Sequence, residues 1–252
     1  MRPNLSKQRV RAGQPAFGTM CNAASPLVAE FLGHSGYDFV VVDLQHGENN
    51  LDNVSTMMQA LSSTPATPVV RVPANVPMYI QRALDLGAYG IIVPQVNDKA
   101  EAEAVMASIR YAPEGARSWG PVRGVIYGGA DYFAKSAEEI LTLVMLESAA
   151  ALRNAREILS VPGVDGCFIG PADLNISLGF SPDAPELGKA TEDGIAAILA
   201  VTRDLGKVAG IHATSVDDAK RRVAQGFRFM TIMADLRMMR AGAAQALAAV
   251  RQ

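Results

Sequence analysis

Five short stretches of the chain place ionisable or polar residues directly behind apolar, often β-branched runs: VVVDLQH at 40–46, VVRVP at 69–73, LVMLE at 143–147, IGPAD at 169–173 and AGIHA at 209–213. A charge at the end of a segment that reads as a buried strand must find a partner or do work, because desolvating it alone is costly. Glu147 and Asp173 are a pair of carboxylates, suited either to general acid/base work or to ligating a hard divalent cation through oxygen. Taken singly, each also suits a helix N-cap at a strand-to-helix turn, most of all Asp173 in GPADLNISLG. Arg71 offers a planar guanidinium that matches a carboxylate ligand or a structural ion-pair partner. His46, three residues after Asp43, is placed to act as a general base near neutral pH. His34 lies in a helix-to-turn segment and reads as a surface or capping residue, whereas His212 reads equally as a core or a catalytic histidine.

A metal, an arginine and a histidine together suit one chemistry. A 2-oxo acid such as pyruvate presents a carboxylate beside a carbonyl, and both can chelate a divalent ion that then stabilises an enolate. Arg71 would fix the carboxylate and His46 would move the proton. The other route to such a carbanion is a Schiff-base lysine. Lys7, Lys99, Lys135, Lys189, Lys207 and Lys220 all fall in tails, loops, helices or the start of a strand, so that route is disfavoured.

These residues need elements to carry them. Strands are expected at 16–21, 38–44, 68–72, 90–96, 142–147, 166–170, 207–213 and 227–233, with amphipathic helical segments between them, including 25–36, 51–63, 149–160 and 184–206. Several helices open on Ser, Asp or Pro and close on Gly. Eightfold β/α alternation with continuously apolar strands predicts an α/β fold, a (β/α)8 TIM barrel whose active site lies at the C-terminal ends of its strands. A doubly wound sheet would offer a G-x-G-x-x-G turn after an early strand, and none is present. The segment 111–141, rich in Gly, Arg and aromatics, breaks the rhythm and is expected to be a functional loop or a subunit contact lining part of the pocket.

Length suits one barrel domain spanning residues 1–252. The net charge of −2, without a basic block, speaks against nucleic acid as a partner. No apolar run reaches the ~18–20 residues of a membrane span, and the N-terminus lacks the apolar stretch of a secretory signal, so a cytoplasmic protein is expected. Cys21 and Cys167 are expected to be small buried hydrophobes.

The strings VVVDLQHGENN, VVRVP, YAPEGARSWGP, LVMLES and especially FIGPADLNISLG resemble the HpcH/HpaI aldolases, in the same order and from about Gly18 to the C-terminal helix. That resemblance implies a barrel of the phosphoenolpyruvate/pyruvate type, assembled as a hexamer with C-terminal helices exchanged between subunits. It implies a carbon–carbon lyase, a class II aldolase that uses Mg²⁺, Mn²⁺ or Co²⁺ to cleave 4-hydroxy-2-oxo acids reversibly to pyruvate and an aldehyde. Carried over by position, it makes Glu147 and Asp173 the metal ligands, Arg71 the holder of the pyruvate carboxylate, His46 the base and Asp43 the acid beside it. Asp85, in ALDLGA, matches an acid that reaches a neighbouring subunit's site, and the backbone around Pro171, Ala172 and Asp173 is implied to bind pyruvate. Two departures stand out: the usual D-G-E-H is Asp43-Leu44-Gln45-His46 here, so a carboxylate near the metal's water shell becomes the neutral amide of Gln45, implied to be a substrate-binding position, and a frequent Gln two residues before the metal Glu is Met145.

Other readings remain at this stage. A CoA-ester lyase of the citramalyl or malyl type shares the barrel and the two acids but usually carries more C-terminal structure. A decarboxylase of oxaloacetate needs the same enolate. A non-catalytic barrel binding a metal and a small acid would need no base, and a phosphosugar isomerase would need a Gly-rich phosphate cradle that IHATSVDD and TIMADLRMM lack.

Overall fold

The structure is a computed structural model that describes residues 1–181 and 187–251. Its elements in order are α1 (Leu5–Arg11), β1 (Ala16–Cys21), α2 (Pro26–His34), β2 (Phe39–Asp43), α3 (Val54–Ser62), β3 (Thr67–Arg71), α4 (Pro77–Asp85) and β4 (Gly90–Val93). There follow α5 (Lys99–Ile109), α6 (Val122–Gly128), α7 (Tyr132–Glu139), β5 (Leu141–Met145), α8 (Ala149–Leu159), β6 (Gly166–Ile169) and α9 (Pro171–Ser177). The chain closes with α10 (Lys189–Asp204), β7 (Val208–Ala213), α11 (Val216–Gln225), β8 (Phe229–Ala234) and α12 (Asp235–Val250). The eight strands pair in parallel in sequence order, and β8 returns to β1, closing the expected (β/α)8 barrel. No helix among the described residues is long and apolar enough to cross a membrane.

Two apolar layers follow from the twofold alternation of strand side chains. Val40, Val42, Val70, Ile91 and Val144 point outward against the helices, while Phe39, Val41, Val69, Ile92, Leu143 and Phe168 fill the barrel. Phe39 stacks on Phe229 with ring centroids 3.8 Å apart, and Phe168 meets Phe229 edge-on. Replacing Phe39 by Ala would cost about 3–5 kcal/mol. Gly18 is required opposite it, since a Cβ there would overlap the Phe39 ring.

The helices start where short polar side chains can satisfy their first N–H groups. Ser25, Asp98, Ser148 and Ser215 each accept a bond from an amide three residues on. The helix expected at 184–206 is observed from Lys189, and residues 184–186 lie outside the described residues.

Two features differ from the sequence expectation. Helix α1 closes the N-terminal end of the barrel, where the buried Lys7 donates to Ile140 O at 2.6 Å and pairs with Asp165 at 2.8 Å. The segment 111–141 is not an open loop: it folds into α6 and α7, and because it connects α5 to β5 it lies at that same N-terminal end. It packs there through Arg117, which binds Asp85 at 2.9 Å and the Tyr132 hydroxyl at 3.2 Å and lies over the Tyr111 ring. Within one chain it therefore lines no part of the cavity at the C-terminal mouth.

Candidate active site

Alternation along the strands also builds the site. Phe39 and Val41 face the barrel interior, so Asp43, two residues on, faces inward at the C-terminal mouth. The same step carries Val69 to Arg71, Met145 to Glu147 and Phe168 to Gly170. Of these, Asp43, Arg71 and Gly170 line a cavity of about 1010 Å³ together with His46, Asp173 and His212, while Glu147 sits behind Gly170.

Asp43 and Arg71 are direct register partners on β2 and β3. Arg71 donates from Nε to Asp43 Oδ1 at 2.8 Å and from Nη2 to Oδ2 at 2.6 Å, a two-pronged pair. Asp43 is fully buried, and its Oδ1 also accepts the backbone N–H groups of Gln45 (3.0 Å) and His46 (3.4 Å). One carboxylate thus orients the guanidinium and shapes the turn that carries His46. Arg71 also lines the cavity.

Glu147 is buried, and its two oxygens are treated differently. Oε1 accepts the Gln95 backbone N–H at 2.8 Å, whereas Oε2 has no hydrogen-bond partner among the described residues. A Cβ placed on Gly170 would lie 2.7 Å from that Oε2 and 3.5 Å from Asp173 Oδ2. Both carboxylate oxygens therefore face one small space that only glycine keeps open. Asp173, in the first turn of α9, is exposed to the cavity and provides no N-cap; the cap position is Gly170. Burial pushes the Glu147 carboxyl up to about 7; the Gln95 N–H opposes the rise, nearby Asp173 adds to it and Arg71 opposes it.

This donor set fits a hard divalent cation. A buried carboxylate oxygen without a partner calls for one, and Mg²⁺-like ions are commonly held by one or two carboxylates with substrate oxygens and water completing the shell. Among the described residues no group of three or more His, Cys, Asp or Glu side chains gathers to hold a metal; a cation between Glu147 and Asp173 would have two carboxylates as its side-chain ligands.

Of the remaining site residues, His46 is exposed at the rim, and among the described residues its ring makes no hydrogen bond. Gln45 is half-buried, and its Oε1 has no hydrogen-bond partner among the described residues. Pro171 has no N–H, and the first intrahelical bond of α9 runs from Leu174 N to Gly170 O, so the Ala172 and Asp173 amides precede it. Met145 lines the cavity wall. His212 faces the cavity with Nδ1 against Thr231 Oγ1 at 2.9 Å, and burial, then Arg71 and Arg237, push its pKa down to about 4. No lysine lines the cavity among the described residues.

Three expected site residues are not among those that line the cavity: Gln45 and Glu147, which sit at strand ends beside lining residues, and Asp85, which lies at the other end of the barrel. Asp85 ends α4, a helix running back toward the N-terminal face, and is bound there to Arg117. Sequence reasoning missed the Gln95 amide, because a backbone donor leaves no residue-type signal, and missed Gly170, whose role lies in the side chain it lacks. It also missed Arg237, which α12 brings to the far wall.

Residues 17–241 match the family described as HpcH/HpaI aldolase/citrate lyase. The hydroxypyruvate/pyruvate aldolase of Rhizorhabdus wittichii is 39% identical over 239 residues, covering 95% of each chain. The 4-hydroxy-2-oxo-heptane-1,7-dioate aldolase of Escherichia coli is 36% identical over 251 residues, covering 98% of this chain and 94% of its own. A crystal structure of an HpcH/HpaI aldolase/citrate lyase family protein from Burkholderia cenocepacia superposes with a TM-score of 0.91 at 32% identity, covering 99% of this chain and 100% of its own. The chain belongs to the HpcH/HpaI aldolase/citrate lyase family. It is a carbon–carbon lyase of the hydroxy-ketoacid aldolase type.

Proposed function

We propose that the protein is a divalent-metal-dependent aldolase that reversibly cleaves 4-hydroxy-2-oxo acids to pyruvate and an aldehyde. The observation that carries this is the unpartnered Glu147 Oε2 facing the Gly170 gap together with Asp173 Oδ2. A relative named for 4-hydroxy-2-oxo-heptane-1,7-dioate and another named for pyruvate support the substrate class. A bound Mg²⁺, Mn²⁺ or Co²⁺ would act as a Lewis acid toward the carboxylate and carbonyl oxygens of the 2-oxo acid.

The protein's own groups supply the rest. Arg71, held in orientation by Asp43, binds the substrate carboxylate and offsets negative charge as it develops. The amides of Ala172 and Asp173 at the start of α9 add donors for the same carboxylate. His46 takes the proton of the C4 hydroxyl. The O–H pair then becomes the aldehyde C=O, the C3–C4 bond breaks, and its electrons pass into the enolate of pyruvate, which takes a proton at C3 from solvent while His46 releases the one it accepted. In reverse, the enolate adds to an aldehyde and His46 returns the proton. Gln45 and Met145 flank this chemistry without ionising, so they bear on which aldehyde fits. Asp85, away from the cavity within its own chain, takes part only if an assembly of subunits brings it to a neighbour's His46, as the expected hexamer would.

The test is pyruvate release from a panel of 4-hydroxy-2-oxo acids by metal-stripped protein, before and after addition of each cation. Cleavage that appears only with metal supports the proposal. Cleavage unaffected by chelation, or none with any acid, contradicts it.

A further inference from the structure

We infer that Asn97 is a positioning residue for Glu147, acting through the backbone of Gln95; the inference rests on Glu147 being a metal ligand. Gln95 has a φ of +55°, and it shares a left-handed backbone with just one other non-glycine residue among those described, Met233. For a residue with a Cβ this conformation is disfavoured. The Gln95 side chain points to solvent and makes no hydrogen bond among the described residues, so what the conformation achieves is the direction of the backbone. It turns the Gln95 N–H onto Glu147 Oε1 at 2.8 Å, while the next amide, Val96, reaches Met145 O at 3.3 Å.

Asn97 holds that turn from both sides. Its Nδ2 donates to Gln95 O at 2.8 Å, and its Oδ1 accepts the hydroxyl of Ser148, the residue directly after Glu147. Its own backbone is anchored in turn, N–H to Glu101 Oε2 at 2.6 Å and carbonyl from Asn154 Nδ2 at 2.8 Å. One amide side chain therefore bridges the residue that donates to Glu147 and the residue that follows it. With Oε1 occupied by the Gln95 amide, Oε2 is the oxygen presented to the Gly170 gap. Such outer contacts set ligand orientation, and losing one typically lowers metal affinity about 10–100-fold.

The experiment is a calorimetric Mn²⁺ titration of the metal-stripped full chain. Asn97→Ala is expected to bind Mn²⁺ about 10–100-fold more weakly than wild type. Adding Gln95→Gly to that variant is expected to recover most of the loss, because glycine takes a positive φ without the side-chain cost and needs no clamp. A general structural defect at position 97 would not be rescued in this way. Wild-type affinity in Asn97→Ala, or a double variant as weak as the single one, overturns the inference. If Asn97→Ala does not fold, the comparison moves to Gln95→Val against Gln95→Gly. Weaker Mn²⁺ binding by the valine variant supports the inference, and equal binding overturns it. Wild type that takes up no Mn²⁺ overturns the metal reading itself, a result distinct from unchanged binding in Asn97→Ala.

Discussion

Arg71 and Asp43 are paired twice over, as register neighbours on adjacent strands and as a two-pronged ion pair with bonds of 2.8 and 2.6 Å. The fully buried Asp43 pairs with no other cation among the described residues, so losing Arg71 leaves its charge uncompensated. Arg71→Lys keeps the charge but loses the fork that meets both oxygens. It is expected to lower stability by about 1–3 kcal/mol and to raise the KM for the 2-oxo acid while lowering kcat. Thermal melting together with steady-state kinetics checks both halves.

His46 is assigned the proton and no part in holding the metal. His46→Asn is expected to reduce kcat about 10²–10⁴-fold while the Mn²⁺ affinity of the stripped protein stays at the wild-type value. A loss of Mn²⁺ binding in this variant would move His46 from base to ligand.

The Glu147 carboxyl, raised to about 7 in the metal-free protein, must lose its proton to ligate. Below about pH 7 metal binding should therefore release a proton, and affinity should fall by up to about tenfold per pH unit. Calorimetry in buffers of different ionisation enthalpy reads that proton directly. Glu147→Ala should abolish both the proton release and the binding.

Glu147 and His212 tilt the stability of the metal-free protein in opposite directions. Glu147, raised from 4.5 to about 7, keeps a proton in the fold that the unfolded chain has lost, so its contribution declines as pH rises through that window. His212, lowered from 6.5 to about 4, binds its proton more readily unfolded, so its contribution is lost as pH falls from about 6.5 toward 4. The windows overlap, and wild-type melting should change little across them on account of these two groups. Glu147→Gln should leave stability rising with pH between about 4 and 6.5, and His212→Gln should leave it falling between about 4.5 and 7. Melting curves across pH 4 to 8 check both signs.

The barrel was legible because each strand is a short apolar run and several of the following helices open on a capping Ser or Asp. The first strand was expected at 16–21 and lies at Ala16–Cys21. The fourth was expected to run to residue 96 but stops at Val93, because Pro94 has no N–H to pair and Gln95 turns left-handed. The inward positions Asp43, Arg71 and Glu147 were legible for the same reason, since a charge at an apolar strand end is visible as residue type. Asp85 and the segment 111–141 were harder to place, because spacing alone does not show that both lie where helices return to the N-terminal face. The contacts that shape Glu147 were hidden altogether, being a backbone amide, an absent side chain at Gly170 and a clamp at Asn97 whose residue types are ordinary in loops.

The central claim is that Glu147 and Asp173 together hold a cation that permits enolisation of pyruvate. Its most direct test needs no aldehyde: exchange of the pyruvate C3 protons for deuterium in D₂O, followed by proton NMR. Metal-stripped protein should be inactive, added Mg²⁺ or Mn²⁺ should start the exchange, and Glu147→Gln and Asp173→Asn should each stop it while remaining folded. Exchange that persists in stripped protein, or in either variant at the wild-type rate, would contradict the account.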